Sequence, residues 1–224
     1  MLEIVSIETD SGLSDDAFLI LSGFISHEKR ERIAKLHRKQ DAVNTLLGEI
    51  VVRKTICART GLANDEIEIL TGTYGKPYIA NATNIANPPG LHFNISHSGD
   101  LLVCAVNDEP VGVDVELIRA ADPDIAKRVF RDDEYDFVMS GPDMSGSAFF
   151  KIWTMKESYV KWEGRGISKL NSFSVLELKR RCRPFFHYIE VRADACCHVC
   201  TETALITSLH HYKQDAFLSC YVCQ

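Results

Sequence analysis

The sequence contains no apolar run near the roughly 18 residues that a membrane span needs, so none of its 224 residues is expected to cross a bilayer. The opening stretch MLEIVSIETD lacks the basic region and long apolar core of a secretory signal. Together these absences predict a cytoplasmic protein with no membrane partner. Net charge is only −6, which argues against broad electrostatic binding to nucleic acid. No aromatic-studded basic stripe compensates, so no nucleic-acid partner is expected. Neither a short-period repeat nor a low-complexity tract occurs.

What is present is an ordinary globular balance, 46% hydrophobic and 25% charged. The length suits one large domain or two small, closely packed halves. Such a chain can bury a core without disulfides or metal staples. Its eight cysteines are therefore read as reduced thiols.

Hydrophobic periodicity divides the chain into helices and antiparallel-looking strands. Residues 2–8 alternate as an edge strand might. Helices follow in SDDAFLILSGFIS, with Ser14 as cap, in SHEKRERIAKLHR, with Ser26 as cap, and in QDAVNTLLGEIVVRKTICARTG, which stops at Gly61. EIEIL reads as a strand, and TYGKPYI as a turn around Gly75 and Pro77. LHFNIS and LLVCAVN are strands flanking the SHSGD turn. DEP at 108–110 is the clearest punctuation, predicting halves 1–108 and 109–224. Beyond it come the strand VGVDVEL and helical segments near 122–130, 132–139 and 145–163. SFSVLEL, FFHYIEV, a stretch near 195–207 and AFLSCYVC read as strands. The class is α+β, with mainly antiparallel sheets and packed helices.

Three stretches carry chemistry. In VGVDVEL, alternation puts Val111, Val113 and Val115 on one face and Gly112, Asp114 and Glu116 on the other. Two carboxylates at i and i+2 repel each other. They are either a solvated outer face or a site for a hard divalent cation, which takes oxygen ligands. In WTMKESYVKWEG, Glu157 and Lys161 stand four apart in the favourable order for a helical ion pair. That pairing alone leaves neighbouring Lys156 and the flanking Trp153 and Trp162 unexplained. NISHSG is a strand end running into a Ser/His/Gly turn that can present hydroxyls, N–H groups and an imidazole to an anion. Neither a Ser–His–Asp order nor a nucleophile elbow surrounds it, which sets serine hydrolysis aside.

YGKP, FNISHSG, VGVDVE and WTMKESYVKWEGRGI occur in this order and spacing. The chain thereby resembles the phosphopantetheinyl transferases of the surfactin-synthetase-activating type, over roughly residues 26–175. The last fifty or so residues match poorly, apart from the hairpin-like KQDAFLSCYVC. The resemblance implies two similar α+β halves about a pseudo-twofold axis, with coenzyme A between them. It implies a single-chain, functionally monomeric enzyme that moves the phosphopantetheine arm of coenzyme A to a serine of an apo acyl or peptidyl carrier protein. Adenosine 3',5'-bisphosphate is the other product.

By the same resemblance Asp114, Glu116 and Glu157 hold Mg²⁺, Glu157 is the candidate base, directly or through a metal-bound water, and Lys161 reaches the pyrophosphate. Lys29 and Arg32 match the holders of the 3'-phosphate; Thr45, Ser96 and His97 match other phosphate contacts; Lys76 matches the adenine-side loop. Lys156 belongs to the signature and is assigned a supporting electrostatic role. A rival reading is a catalytically silent relative that only binds carrier proteins; the intact acids and Lys161 speak against it. CHVC (197–200) and CYVC (220–223) have the spacing of a zinc site. Both lie in apolar, β-prone runs where i and i+3 point to opposite faces, so buried thiols are the expectation.

Overall fold

The computed structural model describes residues 1–80, 90–141, 146–164, 166 and 170–221, the side chains of residues 220 and 221 excepted. The chain opens with β1 (Leu2–Glu8), α1 (Asp15–Ser22), α2 (His27–Ala34) and the long α3 (Lys39–Thr60). A short hairpin of β2 (Ile69–Thr71) and β3 (Pro77–Ile79) follows, then β4 (His92–Ser98), β5 (Leu101–Asn107) and β6 (Val111–Leu117). Helices α4 (Pro123–Val129), α5 (Asp132–Met139), α6 (Ser147–Glu163) and α7 (Val175–Arg180) lead to β7 (Phe185–Tyr188), β8 (Ala195–Thr201), β9 (Ile206–Lys213) and α8 (Gln214–Tyr221).

Local signals set most boundaries. Ser14 and Ser26 accept hydrogen bonds from the backbone N–H groups of Ala17 and Lys29, satisfying donors that the first turns of α1 and α2 leave free. Gly61 ends α3 at φ +74°, a left-handed position that costs glycine little.

The strands form a four-stranded sheet in the order β4-β5-β1-β9, a three-stranded sheet β6-β8-β7, and the β2-β3 hairpin. All pairings are antiparallel except β1 with β9. This is the expected α+β class. Helix α3 packs against β4 and β5 in the first half as α6 packs against β6 and β8 in the second.

The middle strands of the larger sheet, β1 and β5, are buried on both faces. Val5 and Ile7 of β1, with Leu102, Cys104 and Val106 of β5, join the core under α1 to α3. The alternate residues Leu2 and Ile4, with Leu101, Val103 and Ala105, join the core shared with β6 and β8. The functional elements of the two halves therefore meet at one seam, β4 against β6.

Several elements differ from the sequence reading. Residues 2–8 are an interior strand, hydrogen-bonded to β5 on one side and β9 on the other, and both of its faces find a core. Only the end of EIEIL is a strand; Asn64–Glu66 is a helical turn. SFSVLEL is not a strand. A helical turn covers Leu170–Ser172, and α7 starts where Ser174 accepts from the Glu177 N–H. Within AFLSCYVC, residues 216–221 are the end of α8 and neither a strand nor part of a hairpin; residues 222–224 lie outside the described set. Gln214 and Phe217, three apart, are buried, which is a helical spacing. Phe217 reaches the core of the first half, with burial worth about 2 kcal/mol.

Candidate active site

The site begins with a glycine. A methyl at Gly112 would overlap the backbone of Ser158 and Trp162. Its absence lets α6 lie directly on β6, so that Glu157 and Lys161 come down beside Asp114. The valines of β6 point into the core, as alternation predicts. The opposite face is not a solvated surface: Asp114 is buried under α6, at 4% exposure, and Glu157 on the facing side of α6 is buried too, at 6%.

Lys161 Nζ donates to Asp114 Oδ1 at 2.7 Å, to Ser96 Oγ at 3.1 Å and to the Val113 carbonyl at 3.1 Å. Ser96 Oγ also donates to Asp114 Oδ1, at 3.0 Å. The second carboxylate oxygen of Asp114 is buried and has no hydrogen-bond partner. Such an orphan is costly. Burial pushes the Asp114 pKa up, and Glu116 adds to this against the opposing pull of Lys161. Burial also raises Glu157, to about 7, with Asp114 and Glu116 adding to the shift and Lys161 opposing it.

The three acids feel one another, yet Lys161 and Ser96 engage Asp114 while Ser98 Oγ donates to Glu116 Oε2 at 2.8 Å. As the side chains stand, no three His, Cys, Asp or Glu residues among those described are gathered closely enough to hold an ion. A cavity of about 220 Å³, lined by Gly75, Lys76, Asn94, Glu157, Lys161 and Gly164, opens onto this cluster. A second, of about 350 Å³, lies across the Gly75–Pro77 turn and is lined by Ser26, Lys29, Arg32, Glu49, Thr71 and Tyr78.

Comparison with known sequences fits this arrangement. Residues 13–109 match the family described as 4'-phosphopantetheinyl transferase, N-terminal, and residues 110–216 match the 4'-phosphopantetheinyl transferase superfamily. The 4'-phosphopantetheinyl transferase Sfp of Bacillus subtilis (strain 168) is 40% identical over 176 residues, 78% of this chain and 76% of the relative. The chain belongs to the 4'-phosphopantetheinyl transferase superfamily. The expectation of an enzyme of this transferase kind therefore stands. The transferase gsp of Aneurinibacillus migulanus is 35% identical over 175 residues, 77% of this chain and 70% of the relative. The L-aminoadipate-semialdehyde dehydrogenase-phosphopantetheinyl transferase of Rattus norvegicus is 33% identical over 154 residues, 64% of this chain and 49% of the relative.

Of the residues singled out from the sequence, Asp114, Glu116, Glu157, Lys161 and Ser96 form the cluster around β6. Lys29 and Arg32 stand apart from it, in the larger cavity. There Lys29 Nζ is 3.1 Å from buried Glu49, which also pairs with Arg53, and exposed Arg32 donates to Thr71 Oγ1 at 3.4 Å. Thr45 Oγ1 is occupied within its own helix, donating to the Asp41 carbonyl at 2.7 Å. His97, near the end of β4, is itself exposed and within the electrostatic reach of Asp41 and Lys161. The protein around it pulls its pKa down, with Lys161 adding to this and Asp41 opposing it. Lys76 bends back to the carbonyls of Val111 and Trp162, at 3.0 and 3.3 Å, and burial lowers its pKa to about 8.

Lys156 faces away from the acids. Its ammonium donates to both oxygens of Glu134, at 2.8 and 2.6 Å, and to the Phe173 carbonyl at 2.6 Å. Its role is to fasten α6 to α5 and to the start of α7. Glu134, Glu49, Asn94, Ser98 and Gly112 were not singled out as working residues by sequence reasoning. The polar alternation Asn94, Ser96, Ser98 along one face of β4 is a legible signal for two of them. Nothing local marks Glu134, 22 positions before its lysine.

Among the described residues, no helix is long and apolar enough to cross a membrane. Cys197 and Cys200 are buried in β8, and burial raises both thiols. The second pair, residues 220 and 223, lies outside the described side chains.

Proposed function

We propose that this enzyme transfers the 4'-phosphopantetheine of coenzyme A to a serine hydroxyl of an apo acyl or peptidyl carrier protein, with Mg²⁺, releasing adenosine 3',5'-bisphosphate. The observation that carries the reading is the buried, unpartnered oxygen of Asp114 within a nest of mutually repelling acids, with Lys161 beside it. An orphaned carboxylate oxygen and an all-oxygen donor set fit a hard divalent cation. Asp114, Glu116 and Glu157 would hold it. When bound, Mg²⁺ would neutralise charge on the diphosphate and polarise the phosphorus under attack.

The chain's own residues do the rest by position and charge. Glu157 accepts the proton of the incoming serine hydroxyl. Without an ion, burial and Asp114 raise its pKa to about 7; a bound cation would favour the ionised form that a base needs. The serine oxygen forms a bond to the phosphorus that bears pantetheine, and the bond from that phosphorus to the bridging oxygen breaks. Lys161 exchanges part of its hold on Asp114 for the diphosphate and steadies the departing charge. Lys29 and Arg32 hold the 3'-phosphate, Arg32 with two parallel donors. Thr45, Ser96 and His97 contact phosphate oxygens, and Lys76 lies on the adenine side. The division at 108/109, a monomeric state and a cytoplasmic location belong to the same reading, with no nucleic-acid or membrane partner.

Mass spectrometry of apo carrier proteins incubated with coenzyme A, Mg²⁺ and the enzyme tests the proposal. A gain of one phosphopantetheine on the carrier serine is expected. Complex formation without that gain would point to a carrier-binding protein instead.

A further inference from the structure

Strands β4 and β6 are neighbours that belong to different sheets. What joins them is a ladder of side chains. Asn94 Oδ1 accepts from the Val113 N–H at 2.9 Å, Ser96 Oγ from Val115 at 3.3 Å, and Ser98 Oγ from Leu117 at 3.2 Å. Alternate N–H groups along the edge of β6 would otherwise go unpaired at a buried seam.

At the two serines the arrangement does something more. A hydroxyl has one proton to give. Because each serine oxygen accepts from the backbone, that proton is turned toward the carboxylate one residue earlier on β6. Ser96 thus donates to Asp114 and Ser98 to Glu116. The seam repeats the same motif twice, two residues apart on both strands, at the two β6 acids among the three assigned to the cation. Asn94, which has no hydroxyl, stands at the one rung whose β6 neighbour is Gly112.

We propose that Ser98 is a positioning residue for Glu116, and that its hydroxyl, clamped by the Leu117 N–H, fixes the carboxylate in the orientation that receives the cation. This rests on the reading of Glu116 as a metal ligand. Glu116 is only half-buried, so without this bond its carboxylate is free to swing toward water. Partners of this kind tune metal affinity by roughly 10- to 100-fold.

The test is a Mn²⁺ titration of the full chain in the presence of coenzyme A, read by the free-ion electron paramagnetic resonance signal and corrected for coenzyme A alone. Ser98→Ala should weaken Mn²⁺ by about 10-fold. Ser98→Thr, which restores the hydroxyl, should recover wild-type affinity. In transfer assays the Mg²⁺ requirement of Ser98→Ala should rise while kcat at saturating Mg²⁺ holds. Should Ser98→Ala not fold, Ser98→Cys, which keeps the size but donates weakly, takes its place. Glu116→Gln separates the two ways to fail. If it binds Mn²⁺ as wild type does, the ligand reading falls, and this inference with it. If Glu116→Gln weakens Mn²⁺ and Ser98→Ala does not, the inference alone falls. A lowered thermal midpoint in Ser98→Ala with unchanged Mn²⁺ affinity would show a merely structural seam.

Discussion

Two lysines on α6, five positions apart, each meet a carboxylate, and the two pairs could hardly differ more. Lys156 and Glu134 are sealed at 1% and 0% side-chain exposure. Every strong valence there is used: Glu134 also accepts from the Arg131 and Val175 N–H groups, and Lys156 also reaches the Phe173 carbonyl. Lys161 and Asp114 are also in contact, but Lys161 is 27% exposed and lines a cavity. One oxygen of Asp114 is left with nothing. A saturated buried pair is a fastening, expensive to break and inert. An unsaturated one beside a cavity has capacity to spare, which is what a ligand needs.

The strongest way to break this comparison is at the unsaturated end. Asp114→Ala and Glu157→Ala should each lower carrier-protein transfer by about a thousand-fold or more while the chain stays folded. Mass spectrometry of the carrier and circular dichroism of the enzyme check the two halves of that statement. Retained turnover in either variant would remove its assigned role.

The opposite outcome is expected at the fastening. Lys156→Met leaves a buried Glu134 uncompensated and should cost about 3–5 kcal/mol in urea unfolding. Adding Glu134→Gln should return part of the loss, since a neutral amide removes the buried charge while its oxygen still accepts from a backbone N–H. Transfer should follow the folded fraction. A Lys156→Met enzyme with full stability but no activity would place Lys156 in the chemistry after all.

Gly112 links the two regions, because it sets how closely α6 lies on β6. Gly112→Ala forces methyl against backbone and should cost about 3 kcal/mol. Its transfer rate should fall further than its stability explains, because Glu157 and Lys161 move with the helix. Equal losses in both would mean that the close approach serves packing alone.

The smallest effect expected is a pH dependence. Glu157 holds its proton more tightly in the fold than in the unfolded chain, with a pKa of about 7 instead of 4.5. The stability this contributes is full below the unfolded value and is lost as pH rises through about 7. Above that, the fold carries a buried carboxylate facing Asp114 and Glu116, with Lys161 as the offset. Glu157→Gln removes that cost. Without metal it should be more stable than wild type by about 2 kcal/mol at pH 8, and by almost nothing near pH 4.5. A difference that does not change with pH would contradict the shift.

Much of this architecture was legible because it is written in local patterns. The caps at Ser14 and Ser26, the stop at Gly61 and the inward valines of β6 each depend on residues a few positions apart. The acids and Lys161 were legible through their motifs, which carried the family resemblance. What escaped reading depends on distant partners. Alternation in residues 2–8 could not tell an edge from an interior strand, since the second pairing partner, β9, comes from the far end of the chain. The short apolar runs SFSVLEL and AFLSCYVC read as strands, and only the Ser174 cap and the docking of Phe217 make them helices. Lys156 shares its motif with Glu157, so sequence proximity drew it toward the chemistry; a helix turns adjacent side chains about 100° apart, and Glu134 claims it.

The central claim is that the spare oxygen of Asp114 is held in reserve for a cation that faces the diphosphate of coenzyme A. A crystal structure with coenzyme A and Mg²⁺ tests it most directly. The account predicts the ion on that oxygen, with Glu116 and Glu157 around it and Lys161 shifted onto the diphosphate. Finding Asp114 still held only by Lys161 and Ser96, with the nucleotide bound elsewhere, would contradict it.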